Sequence, residues 1–582
     1  MATDAGATAL YFGPDDAPVF GCWHRPAAPV RDTAVLLCPS FGREEASGHR
    51  SLHHLAQRLA ASGCGVLRFD YPGTGDSAGD ESLPARVAAW QRAIGDALQL
   101  LQQISGARRL VVVGLRLGTL LAAPVAAARA DVAGFVAWVP VTSGRAFVRE
   151  QRLLQAATVT PGPSADDGAP LEAGGYLLTA GTRESLAAID LRKLDRPPAP
   201  RVLVIDRDDM PPSQAWLTQL GAAGSDVEHR RLPGYAAMMQ DPHNTVLPEA
   251  MLQAAVDWVL DGAATLGHGP AQPRTRTEAR IGPVVEQPVR LRHEGVCLAG
   301  VVSRPADGSA ARQAVLLINA GAQRRVGPSR LYVTLARRWA AQGLLVLRLD
   351  LSGLGDSLPR PGTADNIVYS PTAVHEVRAA LQWLQERWAV QHCTAMGLCA
   401  GAYHGFKAAV HGAPVHRVVA INPLTFFWRE GTPLDAPLPA HEVAAEMARY
   451  RSNLFAAQRW RKLLRGEVNL RRLGSLLSRR LAQLVLRRAR DVARWLHLPL
   501  REDLARELRQ VVHAGTQLHF VFSTSDPGEE LLRTEAGIAA TRLLRDGALS
   551  IDRIEDADHT FSTEAARGRV VEVLSARVLG AA

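Results

Sequence analysis

Long apolar runs are absent from this 582-residue chain. No stretch approaches the roughly eighteen consecutive residues of a membrane span, and Met1-Ala2-Thr3-Asp4 begins neither a basic nor an apolar leader. A soluble cytoplasmic protein is the expectation. Cysteine is scarce: Cys22, Cys38, Cys64, Cys297, Cys393 and Cys399 are scattered without CxxC or Cys/His ligand spacing. That pattern argues against a disulfide framework and against structural zinc, so reduced thiols and no metal or redox cofactor are expected. Aromatic residues are 5% of the chain, but hydrophobic residues at 47% and charged residues at 21% are an ordinary globular mixture. Packed domains follow, and the length allows about two to four of them.

A net charge of +9 raises the question of nucleic acid. Its location answers it: from Arg459 to Arg494 twelve Lys/Arg face only Glu467 and Asp491, so the rest of the chain is close to neutral. No RNA- or DNA-binding signature accompanies that segment, and nucleic acid is not an expected partner.

The chain repeats itself at an offset of 280. Leu55-Ala56-Gln57-Arg58-Leu59-Ala60-Ala61-Ser62-Gly63 is echoed by Leu335-Ala336-Arg337-Arg338-Trp339-Ala340-Ala341-Gln342-Gly343, and the turn from Asp70 to Ser77 by the turn from Asp350 to Ser357. In each half an apolar run, a small-residue loop, a helical pattern and a second apolar run alternate. This predicts βαβ units, a mainly parallel sheet and helices on both faces. Residues 263–283, rich in Gly, Pro, Thr and Arg, read as a linker between domains 1–262 and 284–582.

Gly397-Leu398-Cys399-Ala400-Gly401 places a cysteine at a tight strand-to-helix turn. The helix amino terminus there favours thiolate. An acid and a histidine follow in order: Asp526 after a late apolar run, and His559 in a loop before the last helical pattern, with Asp552 and Asp558 as competing acids. In such a triad His559 holds the thiol proton and Asp526 fixes its tautomer. Oxyanion donors are expected from the Ala400 amide and from the loop holding Gly321 and Ala322. Cys393 and His392 read as structural, and Asp70, Asp76, Asp350 and Asp356 as turn-stabilising carboxylates.

On the elbow, the Asp-x-x-Gly-x-Gly-Asp-Ser turns and the triad order, the chain resembles the α/β-hydrolase superfamily across both halves. More narrowly, each half is similar to serine aminopeptidase-like hydrolases of bacterial exopolysaccharide and exosortase-associated gene sets. The resemblance carries nucleophile, acid and base onto Cys399, Asp526 and His559. With Ser replaced by Cys, aminopeptidase and ordinary esterase activities are not implied.

The first half departs further. Its elbow, Gly114-Leu115-Arg116-Leu117-Gly118, carries Arg116 where a nucleophile should stand, and Ala237 falls near the histidine position, with His243 the only replacement. Asp208 or Asp209 remains where the acid was, and Arg116 is expected to hold an anion or to pair with Asp209. A catalytically dead copy is the reading.

About 424–509 is an insertion absent from the first half, expected as a helical cap. Leu470, Leu473, Leu477, Leu481 and Leu484 line one face of it, opposite Arg471, Arg472 and Arg479. The basic side would suit an anionic partner: a phosphopantetheine carrier, coenzyme A or a lipid surface.

These features predict acyl transfer through a thioester on Cys399, as a thioesterase, esterase or acyltransferase acting on a small acyl ester or thioester, carrier- or coenzyme A-linked. A lactone hydrolase of the dienelactone type also uses Cys and would need a small enclosed pocket. The alternative from another class is a non-catalytic scaffold of two ligand-binding copies. The acyl group, the acceptor and the oligomeric state are left open.

Overall fold

The structure is a computed structural model that describes residues 7–158, 169–266, 275–432, 488–496, 498 and 500–580. Most of the expected cap, including the leucine stripe with Arg471, Arg472 and Arg479, lies outside the described residues. No helix among the described residues is long and apolar enough to cross a membrane.

Two compact units are present, and they are drawn differently from the sequence repeat. One comprises Met1–Ala310, Ala322–Gly343 and Ser352–Ile367, and the other Ala311–Gly321, Leu344–Leu351 and Val368–Ala582. Gly321 and Ala322, taken together as an oxyanion loop, therefore fall in different units.

The first unit holds β1 (Thr8–Phe12), β2 (Val19–His24), β3 (Thr33–Cys38), β4 (Gly65–Phe69), β5 (Arg109–Leu115) and β6 (Val132–Trp138). A small hairpin follows, β7 (Leu171–Ala173) and β8 (Tyr176–Leu178), and then β9 (Arg201–Arg207) and β10 (Asp226–Leu232). Eight of these make one sheet in the order β1-β2-β4-β3-β5-β6-β9-β10, antiparallel at β1-β2-β4 and parallel from β4 onward. Buried on both faces, β3 reads as an unbroken apolar run rather than an alternating one. Ala34, Leu36 and Cys38 pack with Trp90 and Ile94 of the helix Arg86–Ser105. Val35 and Leu37 point the other way, to Leu52 and Leu55 of the helix Arg43–Ala61 and Trp258 of Glu249–Leu260. Helices thus cover both faces, the α/β-hydrolase-like arrangement that the resemblance implies. The unit also contains an antiparallel ladder of β11 (Ala279–Ile281), β12 (Val284–His293) and β13 (Val296–Pro305).

The second unit holds β14 (Gln313–Ile318), β15 (Leu345–Leu349), β16 (His392–Leu398), β17 (Arg417–Ile421), β18 (Gln517–Ser523) and β19 (Leu549–Ile554). They run parallel in the order β15-β14-β16-β17-β18-β19. Register aligns their carboxyl ends: Ile318 is opposite Gly397, Leu398 opposite Ile421, Ile421 opposite Val521, and Ser523 opposite Ile554. The loops that follow β14, β16, β18 and β19 consequently open on one edge of the sheet, where parallel α/β sheets place ligands.

Candidate active site

β16 delivers Cys399 to that edge in a sharp turn, with φ 58° and ψ −116°, before the helix Ala400–Val410. The left-handed φ costs a non-glycine residue about 1–3 kcal/mol and is tolerated only where surroundings impose it. Those surroundings are glycine-dependent: a Cβ on Gly397 would lie 2.3 Å from the Gly401 carbonyl carbon, and one on Gly401 would lie 2.7 Å from the carbonyl oxygens of Ile318 and Asn319. The turn is pinned by a hydrogen bond from the Cys399 amide to the Ile421 carbonyl at 2.9 Å. Ala400, the first residue of the helix, has an amide with no intrahelical acceptor, as an oxyanion donor requires.

His559 and Asp526 come together at the same edge. The imidazole Nδ1 lies 2.5 Å from Asp526 Oδ2, the carboxylate being 2% exposed and also accepting from the Gly528 amide at 2.8 Å. The opposite ring nitrogen, Nε2, is buried and makes no hydrogen bond with the described residues. Burial would lower the histidine pKa, but the hydrogen bond to Asp526, the neighbouring Cys399 sulfur and the charges of both groups push it up to about 10. The competing acids are engaged elsewhere: Asp552 pairs with Arg577 and His519, and Asp558 accepts from the Ser562 amide.

Of the oxyanion loop, Gly321 takes φ 59° with open space where a Cβ would stand. The start of the loop is fixed by Asn319, which donates to Asp350 Oδ1 at 2.9 Å and accepts from the Leu351 amide at 2.8 Å. Asp350 therefore stabilises its turn as expected. Asp70 and Asp76 do more than that: Asp70 accepts from Arg324, and the fully buried Asp76 pairs with Arg325. Asp356 takes Arg68, Arg325 and His49. Burial raises its pKa, but the Arg68 and Arg325 charges outweigh that and hold it well below the carboxylate range.

Two residues near Cys399 carry no sequence signature. Tyr369 lies 7% exposed in the loop before the helix Ala373–Trp388, and burial first, then the charge of the neighbouring Cys399, raises its pKa well above the usual value. Asn422, fully buried with φ 43°, donates to the His559 carbonyl at 2.8 Å and accepts from the Ser523 amide at 2.8 Å. It ties the end of β17 to the histidine loop and to β18.

In the first unit Arg116 adopts the same elbow conformation, φ 51° and ψ −114°. The expected pairing with Asp209 is not made. Arg116 Nε meets Glu44 at 2.7 Å and its terminal nitrogen meets Glu150 at 2.7 Å, whereas Asp209 is clamped by Arg207. The reason is reach: Glu44 opens the helix Arg43–Ala61 and Glu150 lies on Gly144–Thr158, both beside the elbow. Burial would weaken the guanidinium's hold on its proton, yet Glu44, Tyr235 and Glu150 raise its pKa above the usual value. Tyr235, close to the Ala237 position, also directs its hydroxyl at Glu44. Arg116 is thus occupied by protein carboxylates, not presented to an external anion. His243 lies in the short turn Pro242–Asn244.

Of the other thiols, Cys22, Cys64 and Cys393 are pushed up by burial to about 12, 11 and 11, and Cys38 is raised further. Cys297 and Cys399 are partly accessible. The first unit also holds a cavity of about 350 Å³ lined in part by Arg50, His54, Arg324 and Asp365. Its cations are met within the protein: Arg50 and His54 by Asp365, and Arg324 by Asp70 and Glu45.

Residues 32–165 match the sequence family described as serine aminopeptidase, S33, a span that includes Arg116 and not Cys399. No curated protein matches the chain. Similar solved structures include Est1E from Butyrivibrio proteoclasticus, at 17% identity over 44% of this chain and 98% of that one, with a TM-score of 0.33. A dienelactone hydrolase from Anabaena variabilis is 13% identical over 50% of this chain and 96% of its own, with a TM-score of 0.30. An esterase from Pyrococcus furiosus is 14% identical over 50% and 90%, with a TM-score of 0.30.

Proposed function

We propose that the chain is an acyl-transfer hydrolase with a Cys399–His559–Asp526 triad in its second copy and a first copy that has lost its nucleophile. The observation that carries the reading is the imidazole of His559, held by Asp526 at 2.5 Å, with the Cys399 sulfur among the neighbours that raise its pKa. An imidazolium beside a thiol sulfur supports thiolate attack, and the same proton then serves the leaving group.

Cys399 attacks the carbonyl carbon of an ester or thioester, with the amides of Ala400 and Gly321 as the oxyanion donors. Gly321 contributes the freedom of its φ to that loop; Ala322 is the weaker choice. The resulting thioester passes to water or to an alcohol or amine acceptor. The ion pairs of Arg116 with Glu44 and Glu150 favour a structural role for the first elbow. A carrier- or coenzyme A-linked donor suits the basic residues between Arg459 and Arg494.

Steady-state hydrolysis of a series of p-nitrophenyl esters and acyl-thioesters tests the reading. Cys399→Ala and His559→Ala should each abolish turnover, while Arg116→Ala keeps it. Wild-type turnover in Cys399→Ala would refute the assignment.

A further inference from the structure

Asn422 stands where β17 ends, at φ 43°, a left-handed conformation that asparagine tolerates better than most residues. Its backbone amide donates to the Val521 carbonyl at 2.9 Å and so continues the pairing of β17 with β18. Its side chain makes two bonds that this pairing does not need. Nδ2 donates to the His559 carbonyl at 2.8 Å, and Oδ1 accepts from the Ser523 amide at 2.8 Å. The Ser523 carbonyl in turn accepts from the Asp526 amide at 3.0 Å. The acid loop and the histidine loop also meet directly, through the Thr524 amide on the Ile554 carbonyl at 3.0 Å and Ser525 Oγ on the Ala557 carbonyl at 2.5 Å. Those two bonds stop short of His559, whereas Asn422 reaches the histidine's own main chain. The first unit shows that the backbone conformation does not require an amide side chain. There β6 ends at Trp138, and Val139 takes φ 45° and donates to the Ile205 carbonyl at 2.7 Å. A β-branched residue suits that φ poorly, so the strand end imposes it. Val139 has no polar group with which to bridge loops, and its unit carries Arg116, not a thiol, at the elbow.

Resting on the reading of Cys399, His559 and Asp526 as a triad, we propose that Asn422 is a positioning residue that sets the separation of the Asp526 carboxylate and the His559 imidazole. Both of its bonds go to main chain, so it fixes the points from which the two side chains spring and touches no reacting atom. The 2.5 Å between Nδ1 and Oδ2 depends on both loops at once, and a hydrogen bond weakens steeply as its geometry is lost. A primary amide suits the task because one end donates while the other accepts. A carboxylate in its place would accept at Ser523 but could not donate to the His559 carbonyl. A protonated carboxyl could do both. Burial among strands, with Asn422 fully buried, keeps water from replacing either bond.

Steady-state kinetics of the full chain on p-nitrophenyl esters and acyl-thioesters test the proposal. Asn422→Gly accepts the left-handed φ without strain and deletes both side-chain bonds. It should lower kcat by about a hundredfold, the cost of misplacing a catalytic group by about an ångström, and leave KM within about twofold. Asn422→Asp separates positioning from folding. Burial raises the pKa of an aspartate, so its neutral form, which donates and accepts as the amide does, is populated on the acid side. Its kcat relative to wild type should therefore rise by about tenfold as pH falls from about 8 to about 5. A residue needed for folding alone would give a ratio that does not follow pH. An Asn422→Gly kcat within about twofold of wild type, or an Asn422→Asp ratio flat across pH, overturns the assignment of Asn422 alone. Turnover that survives Cys399→Ala or His559→Ala overturns the triad and this inference with it.

Discussion

His559 keeps its proton through neutral pH because the Asp526 carboxylate and the Cys399 sulfur together outweigh burial, which alone would strip it. Its folded pKa of about 10 stands above the ordinary 6.5, so between those values the folded state binds the extra proton. The group's contribution to stability is complete below pH 6.5 and is lost as pH rises toward 10. Denaturant midpoints measured across pH 6–10 should fall, and fall less in His559→Gln. Asp526→Asn leaves the ring in place but removes its charge and fixes the wrong tautomer, and should reduce turnover by roughly 10³–10⁴. At this scale the Cys399 turn and the meeting of His559 with Asp526 were legible because chain order and a small-residue elbow are local signals. Asn422 was not, since its bonds to the His559 and Ser523 backbone arise only when the fold brings those loops together. Arg116 was legible at the centre of the first turn but not in its partners: Asp209 was the expected one, whereas Glu44 and Glu150 are near in space.

The strand-to-helix turns at Arg116 and Cys399 show why both hold glycines although only one carries a thiol. Gly118 after the first turn faces the Cys38 carbonyl oxygen at 2.2 Å from where a Cβ would sit, as Gly401 after the second faces Ile318 and Asn319. The close approach belongs to the turn, whichever side chain stands at its centre. Gly401→Ala should therefore cost about 2–3 kcal/mol in chemical denaturation, because the obstructing atoms are backbone and cannot rotate away. Gly321→Ala has open space above it and should strain only the backbone φ, at about 1–2 kcal/mol. Strands and elbows were readable from apolar runs and Gly spacing. The small hairpin β7–β8 was not, its strands being only three residues each.

Across the whole molecule, the internal repeat was visible at once, but the units do not respect it: Arg324 and Arg325, from the second repeat, belong to the first unit and pair there with Asp70, Asp76 and Asp356. No local pattern links Arg324 with Asp70 or Arg325 with Asp76, about 250 residues apart, so the sequence showed these turn aspartates and not their cations. Arg325→Ala leaves the buried Asp76 and Asp356 short of charge and should lower unfolding free energy by about 3–5 kcal/mol, measured by urea titration. A chain ending at 283 lacks both arginines and should be less stable still. The central claim concerns Cys399, and intact mass followed by peptide mapping after brief exposure to an acyl-thioester panel tests it most directly. The account predicts one acyl group, on the peptide containing Cys399, absent from Cys399→Ala. Acylation at another residue, or none with any donor while Cys399 alkylates no faster than Cys297, would contradict it.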